Sequence, residues 1–167
     1  MSTAFTDEEK KLIRKKLQKV ARECIKRYGV RKTTVDQMAA MADISKGSFY
    51  NFYSSKEMLF FTVLEEYQID IMNRLAEQLE QKNQINADQF VKLLYDFYQD
   101  FRYSFVLTIF KNHEMELLIR KLPKEVIETH HLLDDRMAEK IVSRINIRET
   151  VSVEIVSALF RTIAMSI

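Results

Sequence analysis

Between positions 33 and 56 the chain gathers small polar and cationic residues at spacings suited to holding an anionic surface: Thr33, Thr34, Ser45, Lys46, Gly47, Ser48, Tyr50, Asn51 and Lys56. Hydroxyls and ammonium groups of this kind donate to phosphate oxygens, whereas an amide and a serine can meet the edges of bases in a groove. Asn51 and Ser48 are the candidates for base edges, with Gly47 allowing close approach. Tyr50, Lys46, Lys56, Thr34 and Ser45 are the candidates for phosphate. This is not the chemistry of a catalyst. No nucleophile lies beside a base, no glycine-rich loop cradles a phosphate, and no carboxylate pair stands out from ordinary helix surface.

These residues need elements to position them. A helix is expected to start at Thr34, whose hydroxyl can accept the orphan N–H groups of a first turn while Gln37 reaches back. Val35, Met38, Ala39 and Ala42 then share one apolar face. Asp43 and Ile44 form the turn, with Asp43 suited to a left-handed conformation, and Ser45 caps a second helix. In that helix Phe49, Phe52 and Tyr53 fall at i, i+3 and i+4 and should pack inward, leaving Gly47 and Asn51 outside between Ser48 and Tyr50. A short helix with a small polar outer face suits a major groove roughly 12 Å wide. Ser54 and Glu57 read as a further capping box opening a long helix, with Lys56 in its first turn.

The stretch resembles the tetracycline-repressor (TetR) family of bacterial regulators, whose signature is similar to T-T-V-x-x-I-A, then G-V-S-x-G-T-L-Y-x-H-F, then S-K-E-x-L. Thr33, Thr34, Val35, Ala39, Ser45, Gly47, Tyr50, Ser55, Lys56, Glu57 and Leu59 match, and Met38, Ser48 and Phe49 are near equivalents. Roughly the first third of the chain carries the resemblance. It implies phosphate contact for Tyr50, Lys56 and the helix start at Thr33 and Thr34. Asp43 stands where the family usually has glycine, Asp36 where many members carry a basic or polar contact, and Phe52 where histidine is usual. Neither Asp36 nor Phe52 therefore inherits a DNA contact.

Charge distribution agrees with an anionic partner at one end. The net charge of the 167 residues is only +2, but residues 1 to 56 hold 13 Lys and Arg against 6 Asp and Glu, and the remainder holds 13 against 18. A polyanion such as double-stranded DNA fits the first part, with the acidic remainder turned away. Lysine-rich helix faces are otherwise usually just solvated. Two glycines and one proline leave little punctuation for strands, so the fold is expected to be all-α. A single cysteine, Cys24, excludes an internal disulfide and reads as a buried structural thiol. The N-terminus has no apolar leader and no window approaches the roughly 20 apolar residues of a membrane span, so a cytoplasmic protein without membrane contact is expected.

Helix one should run from a Thr6 cap, boxed by Glu9, to Gly29, burying Ile13, Leu17, Val20 and Cys24, with Tyr28 on the same face. A long helix from about Ser55 to Lys82 turns Leu59, Val63, Leu64, Tyr67, Ile71 and Leu75 inward. Another from about Ala87 carries Phe90, Leu94, Phe97, Phe101 and Phe105, with a bend admitted between Ser104 and Thr108. Phe110 to Lys121 reads as helix, and after Pro123 the seam Val126, His130, Leu133, Met137 and Ile141 forms one more. From Arg148 the sequence is apolar nearly all round, which a dimer interface would bury. The family adds a further antiparallel helix there, so the C-terminal part is expected to be incomplete.

Aromatic and methionine stripes beyond Glu57 are more often plain core than pocket. The family resemblance implies a small apolar or amphipathic effector in this region, and Phe97, Phe101, Arg102, Phe105, Phe110, His113, His130 and Met137 are the expected lining, with Arg102, His113 and His130 orienting the ligand. His113 with Glu114 and Glu116, or His130 and His131 with Asp134 and Asp135, could also approach a metal, but such spacings arise freely on solvated helices. No metal and no cofactor is expected.

Together these features give residues 1 to 54 as a three-helix DNA-binding domain with a helix-turn-helix, and residues 55 to 167 as a helical ligand-sensing and dimerisation domain. The expected function is that of a homodimeric regulator, read as a repressor, which binds a near-palindrome and is released by a small molecule. A helical module binding an acidic protein is the rival from another class, and a metal-dependent helical-bundle enzyme is a weaker third.

Overall fold

The structure, a computed structural model, describes residues 5–80, 87–130 and Glu139. Every described element is helical: α1 (Asp7–Lys32), α2 (Val35–Ala42), α3 (Lys46–Phe49), α4 (Lys56–Glu80), α5 (Ala87–Tyr103), α6 (Val106–Lys111) and α7 (Met115–Ile119). Residues 124–130 are helical as well, following Pro123.

The start of α1 is fixed by its sequence. Thr6 Oγ1 accepts from Glu9 N at 3.2 Å, and the Glu9 carboxylate accepts from Thr6 N at 2.7 Å, which satisfies donors that a helix start otherwise leaves open. Three acidic residues in the first turn favour the positive end of the helix dipole. Gly29 takes φ +76, the left-handed position expected of it, and kinks the chain with a non-helical residue instead of ending the helix. One more turn continues to Lys32.

Leu17, Ala21, Cys24 and Ile25 are fully buried along one stripe of α1, and Val20 is nearly so. Ile13 packs at the margin of the core, but Tyr28, expected on this face, is 42% exposed, one residue before the kink at Gly29. The stripe joins α2, α4 and α6 to α1. Among the described residues a core cluster runs from Leu17 through Met38, Phe49, Leu59, Phe60 and Val63 to Phe101, Ile109 and Leu118. Polar ties run beside it: Glu66 of α4 accepts from Gln18 and, at 2.6 Å, from Arg22 of α1.

The opening of α4 differs from the expected box. Ser55, not Ser54, accepts from Met58 N at 3.1 Å, and Glu57 is buried, paired with Lys121 at 3.0 Å instead of reaching back to the cap. Leu59, Val63, Ile71 and Leu75 face inward as the periodicity requires, joined by Phe60 and Phe61. The bend admitted after Phe101 is real: α5 ends at Tyr103, where Ser104 Oγ and N both donate to Phe101 O.

One long helix from Phe110 to Lys121 does not form. α6 stops at Lys111, and His113 adopts φ +53 while Glu114 N donates to Ile109 O at 2.9 Å. This is the bond pattern of a left-handed helix stop, and it turns the chain into α7. The expected end of α4 at Lys82, the seam beyond His130 and the apolar segment from Arg148 lie outside the described residues.

Candidate nucleic-acid interface

Helices α2 and α3 build a small platform from the core outward. Thr34, in an extended conformation, caps α2 by accepting from Gln37 N at 3.2 Å. Met38, Ala39 and Ala42 are buried against α1, so α2 is held by its apolar face. Asp43 takes φ 59 and ψ 45, and Ile44 N donates to Ala39 O at 3.0 Å, closing the turn with an aspartate where glycine would be easiest. Ser45 then caps α3 by accepting from Ser48 N at 3.0 Å, with a second contact of 2.9 Å between the two hydroxyl oxygens.

Helix α3 is a single turn, prolonged by hydrogen-bonded turns to Tyr53. Too short to be stable alone, it is anchored from behind. Phe49 is fully buried, Phe52 and Tyr53 nearly so, and the Phe49 ring lies 6.2 Å from that of Tyr53. Arg14 of α1 closes the back: its guanidinium sits 5.6 Å from the Phe52 ring centroid and 5.9 Å from that of Tyr53.

The opposite side is open. Ser45, Lys46, Gly47, Tyr50 and Asn51 are exposed and Ser48 is partly so, while Thr34 is exposed at the start of α2. Gly47 has an ordinary helical backbone, and a Cβ there would meet only Ser45 Oγ at 3.8 Å. Nothing within the fold requires this glycine. Its missing side chain leaves room for something outside.

Lys46 leans back to α2, where its ammonium donates to Asp36 Oδ2 at 2.8 Å. That bond lowers the Asp36 carboxyl below its usual range and raises Lys46 above its own. No spacing rule anticipates this pairing, ten positions apart across the turn.

Two expected contact residues belong to the frame instead of the surface. Thr33 is fully buried and donates its hydroxyl to Gly29 O at 2.7 Å, so its side chain cannot reach a phosphate. Lys56 is half-buried and donates to Thr33 O at 2.6 Å and Val30 O at 3.0 Å. Burial pushes the Lys56 ammonium below its ordinary value. It ties the first turn of α4 to the segment entering α2, and two of its three donors are already committed.

The expected effector lining is not brought together as a set. Phe97, Phe101 and Phe110 do cluster, with ring centroids 6.5 Å apart for the first pair and 5.6 Å for the second, and Phe105 meets Tyr67 edge-on at 5.7 Å. Arg102, however, is on the surface over the Tyr103 ring, because its position on α5 faces away from the aromatic seam. His113 is exposed at the helix stop. His130 packs edge-on against Phe61 and pairs through Nδ1 with Glu65 at 3.3 Å. Met137 lies outside the described residues, as do His131, Asp134 and Asp135. Among the described residues, open space of about 490 Å³ lies in a groove lined by Arg22, Lys26, Tyr67, Arg74, Tyr103 and Phe105, and Phe105 is the member of the expected lining that borders it.

Glu114 was visible in the sequence only as a neighbour of His113. In the fold it is 4% exposed and accepts from Val30 N at 2.7 Å and Arg31 N at 3.0 Å, which leaves it unavailable to a metal. No periodicity or motif distinguishes a surface glutamate from one that folds back across more than eighty residues.

Residues 17–63, spanning most of α1 through the first turns of α4, match the family model described as bacterial regulatory proteins, tetR family. No curated protein is significantly similar in sequence. Among solved structures the chain is similar to Thermus thermophilus FadR, a TetR-family transcriptional repressor crystallised with lauroyl-CoA, at 20% identity over 91% of this chain and 81% of that one, with a TM-score of 0.51. That likeness extends the shared helical fold beyond residues 17–63. No described helix is long and apolar enough to cross a membrane. The helix-turn-helix that lies open on one face thus falls within the segment, residues 17–63, that carries the pattern of the tetR family of bacterial regulatory proteins.

Proposed function

We propose that the protein is a cytoplasmic repressor that binds a near-palindromic operator as a homodimer and is released by a small effector. The reader comprises residues 1 to 54 and the sensing and dimerising part residues 55 to 167. Two readers related by a two-fold axis would enter major grooves about one helical turn apart. The observation that carries this reading is the exposed face of α3, where Gly47 lacks a side chain for no internal reason between the open polar groups of Ser48 and Asn51.

Asn51 and Ser48 read base edges, and Gly47 lets the backbone approach. Thr34, Ser45, Lys46 and Tyr50 hold phosphates, with Lys46 exchanging Asp36 for a phosphate oxygen on binding. Thr33 and Lys56 position this face from within. An apolar or amphipathic effector fits the aromatic content of the second part, and the relative solved with lauroyl-CoA supports that class of ligand. An effector that prefers one arrangement of those helices would tilt α4 and alter the spacing of the two readers, by an amount limited to its difference in affinity.

The test is to sequence DNA selected by the purified protein from a random pool, then compare Asn51→Ala with the native chain. A palindrome is expected, and Asn51→Ala should lose about 1–3 kcal/mol on it and little on random DNA. Equal losses on both would overturn the base-reading role, and salt-independent binding to an acidic protein would favour the interaction-module alternative.

A further inference from the structure

The segment Gly29 to Thr33, which leads directly into α2, is held from two sides by groups of opposite polarity. Its N–H groups point to the second part of the chain, where the buried Glu114 carboxylate accepts from Val30 N at 2.7 Å and Arg31 N at 3.0 Å. Its carbonyls point to α4, where Lys56 takes Val30 O and Thr33 O. Gly29 is what lets the carboxylate come so close. A Cβ at that position would lie 2.6 Å from Glu114 Oε2 and 2.9 Å from Asn112 Nδ2, and the φ of +76 already disfavours a side chain.

Breaking α1 at Gly29 leaves the next turn with open N–H donors, and here they are answered by a charged acceptor from 84 residues away in sequence. Glu114 owes its place to the left-handed stop at His113, which ends α6 and aims the next residue back at α1. A buried carboxylate whose bonds, among the described residues, go to two main-chain donors of one segment has a strong directional hold on it. α4 is therefore not the sole mechanical link between the two parts.

We propose that Glu114 is a positioning residue that fixes the reader's orientation to the α6–α7 corner, so that this corner, as well as α4, sets the distance between paired readers. The proposal rests on the two-reader arrangement proposed above. Movement of the corner by a ligand would pull the Gly29 to Thr33 segment directly.

The experiment uses the full chain and Glu114→Gln, which keeps the volume but presents an amide whose own N–H₂ opposes one of the two donors. Amide exchange at Val30 and Arg31 should quicken about tenfold or more, with Leu17 and Cys24 unchanged. Spin labels on Asn51→Cys and Glu125→Cys, diluted with unlabelled chain, should give a broader reader-to-sensor distance distribution than in the native background. Gly29→Ala should move both readouts the same way, since its methyl displaces the carboxylate. On DNA selected by the native chain, Glu114→Gln should lose about tenfold in affinity for a paired site and less than twofold for a single half-site. Unchanged exchange at Val30 and Arg31 overturns the contact itself. Faster exchange with an unaltered distance distribution reduces Glu114 to a local cap and overturns the positioning role. If the native chain selects no palindrome, the two-reader proposal fails, while the exchange and distance measurements still decide whether Glu114 orients the reader.

Discussion

Replacing Lys56 by methionine separates a lysine that holds the fold from one that reaches for a phosphate. The native ammonium donates to Thr33 O at 2.6 Å and Val30 O at 3.0 Å. A hydrogen bond to a charged group contributes about 1.5–3 kcal/mol, so two of them amount to roughly 3–6 kcal/mol before any allowance for water. The side chain is half-buried, and both the lysine and the freed carbonyls regain some hydration when the contact is lost. Halving the figure leaves about 1.5–3 kcal/mol of destabilisation. For a chain of this size, 1 kcal/mol moves the midpoint by about 2–4 °C, so Lys56→Met should melt roughly 3–12 °C lower by circular dichroism. Lys56→Arg should recover part of the loss. The salt slope of DNA binding is expected to stay nearly constant for molecules that remain folded, because the lost charge is not at a phosphate. If Lys56→Met melts within about 1 °C of the native chain and instead lowers the salt slope by about 1, the carbonyl ties are unimportant and the side chain belongs to the DNA surface.

The Asp36–Lys46 pair predicts a gain of binding. Asp36→Asn should free Lys46, strengthen binding to specific and random DNA alike and steepen the salt dependence by about one counterion, which titrating affinity against salt would reveal; unchanged affinity would mean that the pair does not compete with phosphate. The same pair gives a pH direction. The Asp36 carboxyl is lowered by its bond to Lys46, so its contribution is present above the ordinary carboxylate range and is lost only as pH falls through the lowered value. DNA affinity of the native chain should therefore rise toward that of Asp36→Asn only in strongly acidic buffer, whereas a similar gain near neutral pH would contradict the assignment. Burial raises the Cys24 thiol, so alkylation should be slow in the folded chain and become fast with unfolding, as thiol-reagent kinetics across a denaturant series would report.

Much of the reader was legible because its instructions are local. Thr34, Ser45 and the aromatic triad at positions 49, 52 and 53 act within one or two helical turns, and capping and periodicity read those distances well. Asp43 was legible too, since a left-handed residue before a capped helix leaves few options. The misplaced residues owe their positions to tertiary packing. Thr33 sits beside Thr34 in sequence, yet it is folded under because Gly29 redirects the backbone four positions earlier. Lys56 and Glu114 meet the same short segment from opposite sides, and neither encounter has a sequence spacing that could reveal it. The scattered effector residues failed for a related reason. Arg102 follows Phe101 on α5 and so necessarily turns away from a seam that the aromatic residues share.

The separation between the two sides of α3 has an evolutionary corollary. Its rigidity comes from rings that face inward, while Gly47 and Asn51 face outward with no side-chain bond to the rest of the described residues. Under the base-reading role proposed for this face, substitutions at those outer positions would redirect the protein to other DNA sequences without weakening the support beneath them. Retargeting would leave thermal tolerance almost untouched, and such a chain could acquire a new set of controlled genes through a few surface changes.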